Sequence, residues 1–131
     1  MGALRLLLDT HAFYWWHTGD TALSTKARSA IADDQNEKYI SAITAWEFVA
    51  KFQSGKELAF GHIAADVVGV VAAQGFTELA ITMRHAQVAA RLPFYHKDPM
   101  DRFLIAQATV EDMTIVTTDN IFGSYAVKLL W

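Results

Sequence analysis

Short apolar runs alternate along the chain with longer segments in which apolar residues recur every three or four positions. The short runs have the composition of β-strands. The first of them, Leu4-Arg5-Leu6-Leu7-Leu8, has the profile of a strand buried on both faces. The predicted strands are residues 4–8, 39–41, 77–81, 113–118 and 127–131.

The longer segments have the pattern of helices. Ser24 is a suitable N-cap for the second helix, and Gly55 and Gly75 stand where helices commonly end. Asp98-Pro99 is a strong helix start, because Asp favours the N-cap and Pro the first helical position. The predicted helices are residues 11–17, 24–33, 43–54, 62–73, 82–91 and a last helix from this start to about residue 112.

Strands that alternate with helices of this length are typical of βαβ units. We therefore predict an α/β fold with a mostly parallel central sheet of about five strands, covered by helices on both faces. No repeat or flexible linker interrupts the sequence, so residues 1–131 are predicted to form a single domain. In such sheets ligands bind beyond the carboxyl ends of the strands.

Composition narrows the classes of function. The net charge is −3, so contact with nucleic acid would have to come from a local patch or through bound cations. The absence of cysteine excludes disulfides and thiolate metal sites, which suits a cytoplasmic location. The N-terminus lacks a secretory pattern, and the apolar stretch 63–73 is too short to span a membrane, so no membrane partner is expected.

Two acidic residues stand out in the first half of the chain. Asp9 ends the first apolar run, where it would either cap the next helix or serve a ligand site. Glu47 lies on the helical stripe formed with Ile43, Trp46 and Ala50. A carboxylate beside a buried face is costly unless it is paired or binds a metal; the alternative is a bridge to a lysine at the edge of the stripe.

Three further acids follow in the second half. Asp98 is a natural N-cap, and Asp101 at the third helical position is stabilised by the helix dipole. Asp101 also shares a helix face with Leu104 and Ile105, which places it at the rim of the core. Asp119 ends the fourth apolar run, where a turn residue is the alternative.

Asp9, Glu47, Asp101 and Asp119 can all reach the carboxyl end of one parallel sheet. Two carboxylates about 5 Å apart repel each other by roughly 3 kcal/mol at an effective dielectric constant of 20. Four of them would either take up protons or hold a hard divalent cation. Oxygen ligands favour magnesium, manganese or calcium.

Several motifs resemble those of a known family. Residues 6–11 and 40–47 resemble the first two motifs of PIN-domain ribonucleases. The segment 98–108, DPMDRFLIAQA, followed by VTTD at 116–119 and by the ending 127–131, is similar to the VapC toxins of bacterial toxin–antitoxin pairs. The motifs span nearly the whole chain, in order and at the expected intervals.

This resemblance implies a PIN-like fold and a ribonuclease that uses Mg²⁺ or Mn²⁺. The family's acidic positions correspond to Asp9, Glu47, Asp101 and Asp119, as catalytic and metal-binding residues, with Asp98 as a candidate outer-shell acid. It also implies an RNA substrate, a homodimer and a cognate antitoxin protein that keeps the enzyme inactive.

Other residues and other functions stay open at this point. Arg102 is a candidate contact to RNA phosphates, with solvated surface charge as the alternative. Thr10 and Thr117 are interpreted as ordinary strand-end threonines, and Trp15 as a core or interface residue rather than a base-stacking platform. A haloacid dehalogenase-like phosphatase would need a second Asp at position 11, which is His. A degenerate PIN domain that binds protein or RNA without catalysis is the non-enzymatic alternative.

Overall fold

The computed structural model describes residues 3–131, so residues 1 and 2 of the predicted domain lie outside the described part. Five strands form one sheet in the order β3-β2-β1-β4-β5, and every neighbouring pair is parallel. The predicted parallel sheet of about five strands is therefore confirmed. The strands are Arg5–Leu8 (β1), Glu37–Ser41 (β2), Thr77–Leu79 (β3), Thr114–Val116 (β4) and Lys128–Leu130 (β5).

Helices connect the strands, and each lies within a few residues of a predicted segment. The side chain of Ser24 accepts a hydrogen bond from the Ala27 amide, so the predicted N-cap is confirmed. Gly55 and Gly75 have φ angles of 77° and 80°, the left-handed backbone that glycine adopts most easily. The helices are Thr10–Thr18 (α1), Thr25–Ala32 (α2), Ala42–Gln53 (α3), Gly61–Ala65 (α4), Val67–Ala73 (α5), Met83–Arg91 (α6) and Pro99–Glu111 (α7).

The central strand β1 shows why the sheet needs helices on both faces. Successive side chains of a strand point to opposite sides. Leu6 and Leu8 pack in one hydrophobic core with residues of α1 to α5, whereas Leu7 packs in a second core with Leu104 and Ile105 of α7. All three strand leucines are fully buried. The apolar run of β1 is thus explained by burial on both faces.

One predicted helix was wrong, and one short helix was missed. The segment 62–73 is not one helix, because the extended backbone of Asp66 separates α4 from α5. The Asp66 side chain accepts a hydrogen bond from the Gly69 amide and so caps the new helix instead of continuing the old one. A short 3₁₀ helix at Asn120–Ser124, between β4 and β5, was not predicted.

The buried stripe of α3 was also assigned incorrectly. Thr44 and Phe48 are its fully buried residues, whereas Trp46 is 58% exposed. The apolar character of Trp46 shifted the predicted face by about one residue. No helix in residues 3–131 combines the length and the apolar character needed to cross a bilayer.

Candidate active site

An open cavity of about 440 Å³ lies at the carboxyl ends of β1 and β4. Asp9 follows β1 directly, and Thr118 and Asp119 follow β4. The remaining acids reach the cavity from the helices α3 and α7. Its acidic lining consists of the four predicted acids and the candidate outer-shell acid: Asp9, Glu47, Asp98, Asp101 and Asp119.

Asp9 has the most constrained carboxylate of the set. Oδ1 accepts a hydrogen bond from the Ala12 amide at 2.9 Å and so caps α1, while Oδ2 accepts one from the Thr117 hydroxyl at 2.5 Å. Burial raises the pKa of Asp9, although both hydrogen bonds act in the opposite direction. The interpretation of Thr117 as an ordinary strand-end residue was therefore wrong, because this side chain orients Asp9.

Glu47 is held at both of its oxygens. Thr10 donates its hydroxyl to Oε1 at 2.7 Å, and the Nζ of Lys51 lies 2.7 Å from Oε2. The carboxylate side chain is 19% exposed. It is therefore half-buried, as predicted, although its neighbours on the buried stripe differ from the predicted ones. Thr10, like Thr117, orients an acidic residue and is not an ordinary strand-end residue.

Asp101 lies at the rim of the second core, with Leu104 and Ile105 buried on the same helix. Burial, and then the negative charge of Asp98, raise the pKa of Asp101 to about 6. The Nε2 atom of His96 lies 3.2 Å from Oδ2 of Asp101 and opposes this shift. His96 is itself oriented by the hydroxyl of Tyr125, 2.9 Å from its Nδ1.

The other two acids also cap helices. Asp98 accepts a hydrogen bond from the Met100 amide, as predicted for an N-cap, and Asp119 accepts one from the Ile121 amide at the start of the 3₁₀ helix. Each uses Oδ1 for this contact. A capping role and a place in the cavity therefore coexist in both residues.

The structure shows the bridge to a lysine that was considered as the alternative for Glu47. The lysine is Lys51, four positions later on the same helix, a spacing that favours such a pair. Sequence reasoning missed His96, which contacts Asp101. His96 lies five positions before Asp101 in a loop, and no periodic pattern could have indicated that contact. His11 and Trp15 also line the cavity, with ring centroids 5.5 Å apart. The assignment of Trp15 to the core or an interface did not anticipate its place in the cavity lining.

The structure argues against Arg102 as a contact to RNA phosphates. This residue is only 6% exposed and lies outside the cavity lining. Its guanidinium donates hydrogen bonds to the carbonyl oxygens of Ala89, Leu92 and Pro93 and lies over the ring of Phe94. Its donors therefore serve the carbonyl groups at the end of α6, which explains burial of the charge.

The donor set suits a hard divalent cation. The lining offers five carboxylates and no sulfur ligand, and its carboxylates outnumber its basic side chains. Among residues 3–131, no three acidic or histidine side chains converge closely enough to hold one ion together. Magnesium usually keeps several waters and is bound directly by one or two carboxylates, so the acids fit an ion held partly through water.

Comparison with known proteins identifies the fold family. The sequence model of the family described as "PIN domain" matches residues 6–128. The chain belongs to the PIN domain family. The five-stranded parallel sheet described above is therefore that of a PIN domain. No curated protein shows significant similarity to the sequence.

Solved structures share this PIN fold over nearly their full length. VapBC2 from Rickettsia felis, bound to a DNA fragment from its promoter, matches with a TM-score of 0.73 and 14% identity over 98% of this chain and 99% of that one. DNA-bound VapBC from Salmonella typhimurium matches with a TM-score of 0.70 and 17% identity, covering 97% of each chain. A toxin–antitoxin complex from Klebsiella pneumoniae gives a TM-score of 0.61 and 18% identity, covering 96% of each chain. At these identities the similarity establishes the fold.

Proposed function

We propose that this PIN domain is a Mg²⁺- or Mn²⁺-dependent endoribonuclease and the toxin of a toxin–antitoxin pair. The observation that carries the enzymatic part is the cavity itself, in which five carboxylates gather at the carboxyl end of the sheet. A group of acids with few counter-charges costs stability unless it serves a bound cation. The similar folds of toxin–antitoxin complexes support the biological role.

Asp9 is the central acid in this proposal, and Glu47, Asp101 and Asp119 complete the site directly or through water. A bound divalent ion supplies Lewis acidity and lowers the pKa of a water molecule. Thr117 fixes the orientation of Asp9, and Thr10 fixes that of Glu47. Because these side chains are already oriented, little conformational freedom is lost when a phosphodiester enters the cavity.

Two partners belong to the proposal besides RNA. A cognate antitoxin would keep the enzyme inactive, and a second copy of the chain would form a homodimer. The matched structure from Klebsiella pneumoniae is described as a toxin–antitoxin complex, which supports the first partner. The alternative of a PIN domain that binds without catalysis predicts RNA binding with no cleavage by the free chain.

The test is cleavage of single-stranded RNA by the purified free chain, with Mg²⁺ and with EDTA. We expect cleavage only with the metal ion, and a loss of at least about 10³-fold in Asp9→Asn, since asparagine has no charge to offer the cation. Asparagine caps helices as well as aspartate does, so the variant should fold normally. Circular dichroism and thermal unfolding check that it does.

Asp66→Asn is the matched control. Asp66 caps α5 through an amide at 3.0 Å, just as Asp9 caps α1, but it does not line the acidic cavity. We expect wild-type cleavage from this variant. Metal-dependent cleavage that survives in folded Asp9→Asn would contradict the assignment of the site.

A further inference from the structure

Lys51 is the lysine that lines the acidic cavity. It lies on α3, one turn after Glu47, and its side chain is 34% exposed. Of the described residues that line the cavity, the only other basic side chain is His11, which lies 4.0 Å from Glu57. Lys51 is therefore the one permanently charged basic group available to a molecule that enters this space.

The position of Lys51 in the acidic cavity is relevant to binding of the proposed substrate, RNA. Each RNA phosphate carries a negative charge, and the cavity wall carries five carboxylates. A bound divalent ion offsets only part of that negative charge. A lysine beside the metal-binding acids would reduce the remaining repulsion, because its compact ammonium group binds phosphate oxygens as a point charge.

The ammonium group of Lys51 is already paired with the carboxylate of Glu47. Its Nζ is 2.7 Å from Oε2, and the hydroxyl of Thr10 already occupies Oε1. A cation that approaches Glu47 therefore competes with the ammonium for the same oxygen. The long, flexible side chain of lysine allows the ammonium to leave this oxygen without a change in the backbone.

We propose that Lys51 is a substrate-binding residue whose ammonium group moves from Glu47 to a phosphate of the bound RNA when a divalent cation occupies the site. The inference rests on the proposed ribonuclease function and deepens it. In the free protein the lysine neutralises Glu47. In the loaded enzyme the cation takes over that task, and the lysine contacts the substrate.

The test compares Lys51→Met with the wild type in two measurements. The first is Mg²⁺ binding by titration calorimetry without RNA, where we expect affinity to increase about 5- to 10-fold because a competing cation has been removed. The second is RNA cleavage, where we expect kcat/KM to fall at least about 10-fold. The slope of log kcat/KM against log salt should also become shallower by about 0.7, the value for one phosphate contact on a single strand.

Lys128→Met is the matched control. Lys128 also pairs with a carboxylate at 2.7 Å, that of Asp112, but it lies at the opposite end of the sheet. Neither measurement should change in this variant. Lys51→Arg keeps the positive charge, so it should retain the salt dependence and most of the wild-type Mg²⁺ affinity.

Each outcome decides the role of Lys51. Tighter Mg²⁺ binding together with weaker cleavage supports the proposal. Weaker Mg²⁺ binding would mean that Lys51 maintains the geometry of Glu47, and tighter binding with unchanged cleavage would make it only a counter-ion; both overturn it. A wild-type chain that fails to cleave RNA overturns the ribonuclease function as well, whereas an active wild type with equally active Lys51→Met overturns the lysine's role alone.

Discussion

The two ends of the sheet differ in how their charges are balanced. At the amino end two acids form separate, exposed ion pairs: Glu37 lies 3.7 Å from Arg5, and Asp112 lies 2.7 Å from Lys128. Near the same end, Glu111 accepts a hydrogen bond from the buried His85. At the carboxyl end, five carboxylates share one cavity with a single lysine.

We expect this difference between charges that only accompany the fold and charges that belong to the proposed metal site. Exposed ion pairs such as those at the amino end contribute little to stability, but they also cost little. Burial is the main reason why the pKa values of Asp9 and Asp101 are raised, and repulsion from neighbouring carboxylates adds to it. Perturbed pKa values of this kind cluster at functional sites, because binding of a ligand compensates for the cost.

The largest expected effect is stabilisation by Mg²⁺, which should act on the carboxyl end alone. An ion that binds only the folded chain adds about 2.7 kcal/mol at 100 times its Kd, or roughly 10 °C in Tm for a domain of this size. Thermal unfolding in MgCl₂ and in EDTA at equal ionic strength measures it. Asp9→Asn should lose most of the increase, and Asp112→Asn should keep it. Equal Tm values for the wild type in both buffers would contradict a metal site.

The second effect is a pH dependence of stability in EDTA. The pKa of Asp101 is about 6 in the folded protein, above its ordinary value of 3.8. Between these values the folded state binds the proton more tightly than the unfolded state. The free energy of unfolding therefore decreases as the pH rises from about 4 to about 6, on the order of 2 kcal/mol.

Urea unfolding of the wild type and of Asp101→Asn across this range isolates the contribution of Asp101. The stability of the wild type relative to the variant should fall with rising pH. If the difference in the free energy of unfolding between the two proteins does not change with pH, the folded structure does not raise the pKa of Asp101.

Much of the fold and the place of the acidic cavity could be predicted from the sequence, because both follow from the pattern of neighbouring residues and the order of the elements. The apolar run of β1 indicated a buried central strand, and Asp98-Pro99 indicated the start of α7. Parallel strands place their carboxyl ends together, so the position of Asp9 after β1 and of Asp119 after β4 predicted that they would share a cavity. These inferences required the order of elements and no knowledge of side-chain contacts.

The remaining features depend on contacts between distant segments. The acceptors of Arg102 lie 9 to 13 residues earlier in the chain, so its role at the end of α6 could not be read from its own helix. The bond from Thr117 to Asp9 joins residues 108 positions apart. Trp46 misled the assignment of the buried face because an exposed aromatic residue and a buried one have the same apolar signature.

The smallest predicted effect concerns the cause of the raised pKa of Asp101 at the carboxyl end of the sheet. Asp98 contributes to the raised pKa of Asp101 through charge repulsion, second only to burial. Asp98→Asn retains an N-cap for α7 but removes this charge, so the pKa of Asp101 should move toward its ordinary value, and part of the stability lost above pH 6 should be recovered. An NMR titration of the Asp101 carboxyl carbon in EDTA measures the change.

Asp112→Asn removes the same charge from the amino end, where Lys128 neutralises it, and should leave that titration unaltered. An equal change in both variants would show that net charge, rather than crowding in the cavity, controls Asp101. A change in Asp98→Asn alone would attribute that part of the raised pKa to the arrangement that also suits a cation, because like charges held close together are what a divalent ion neutralises best.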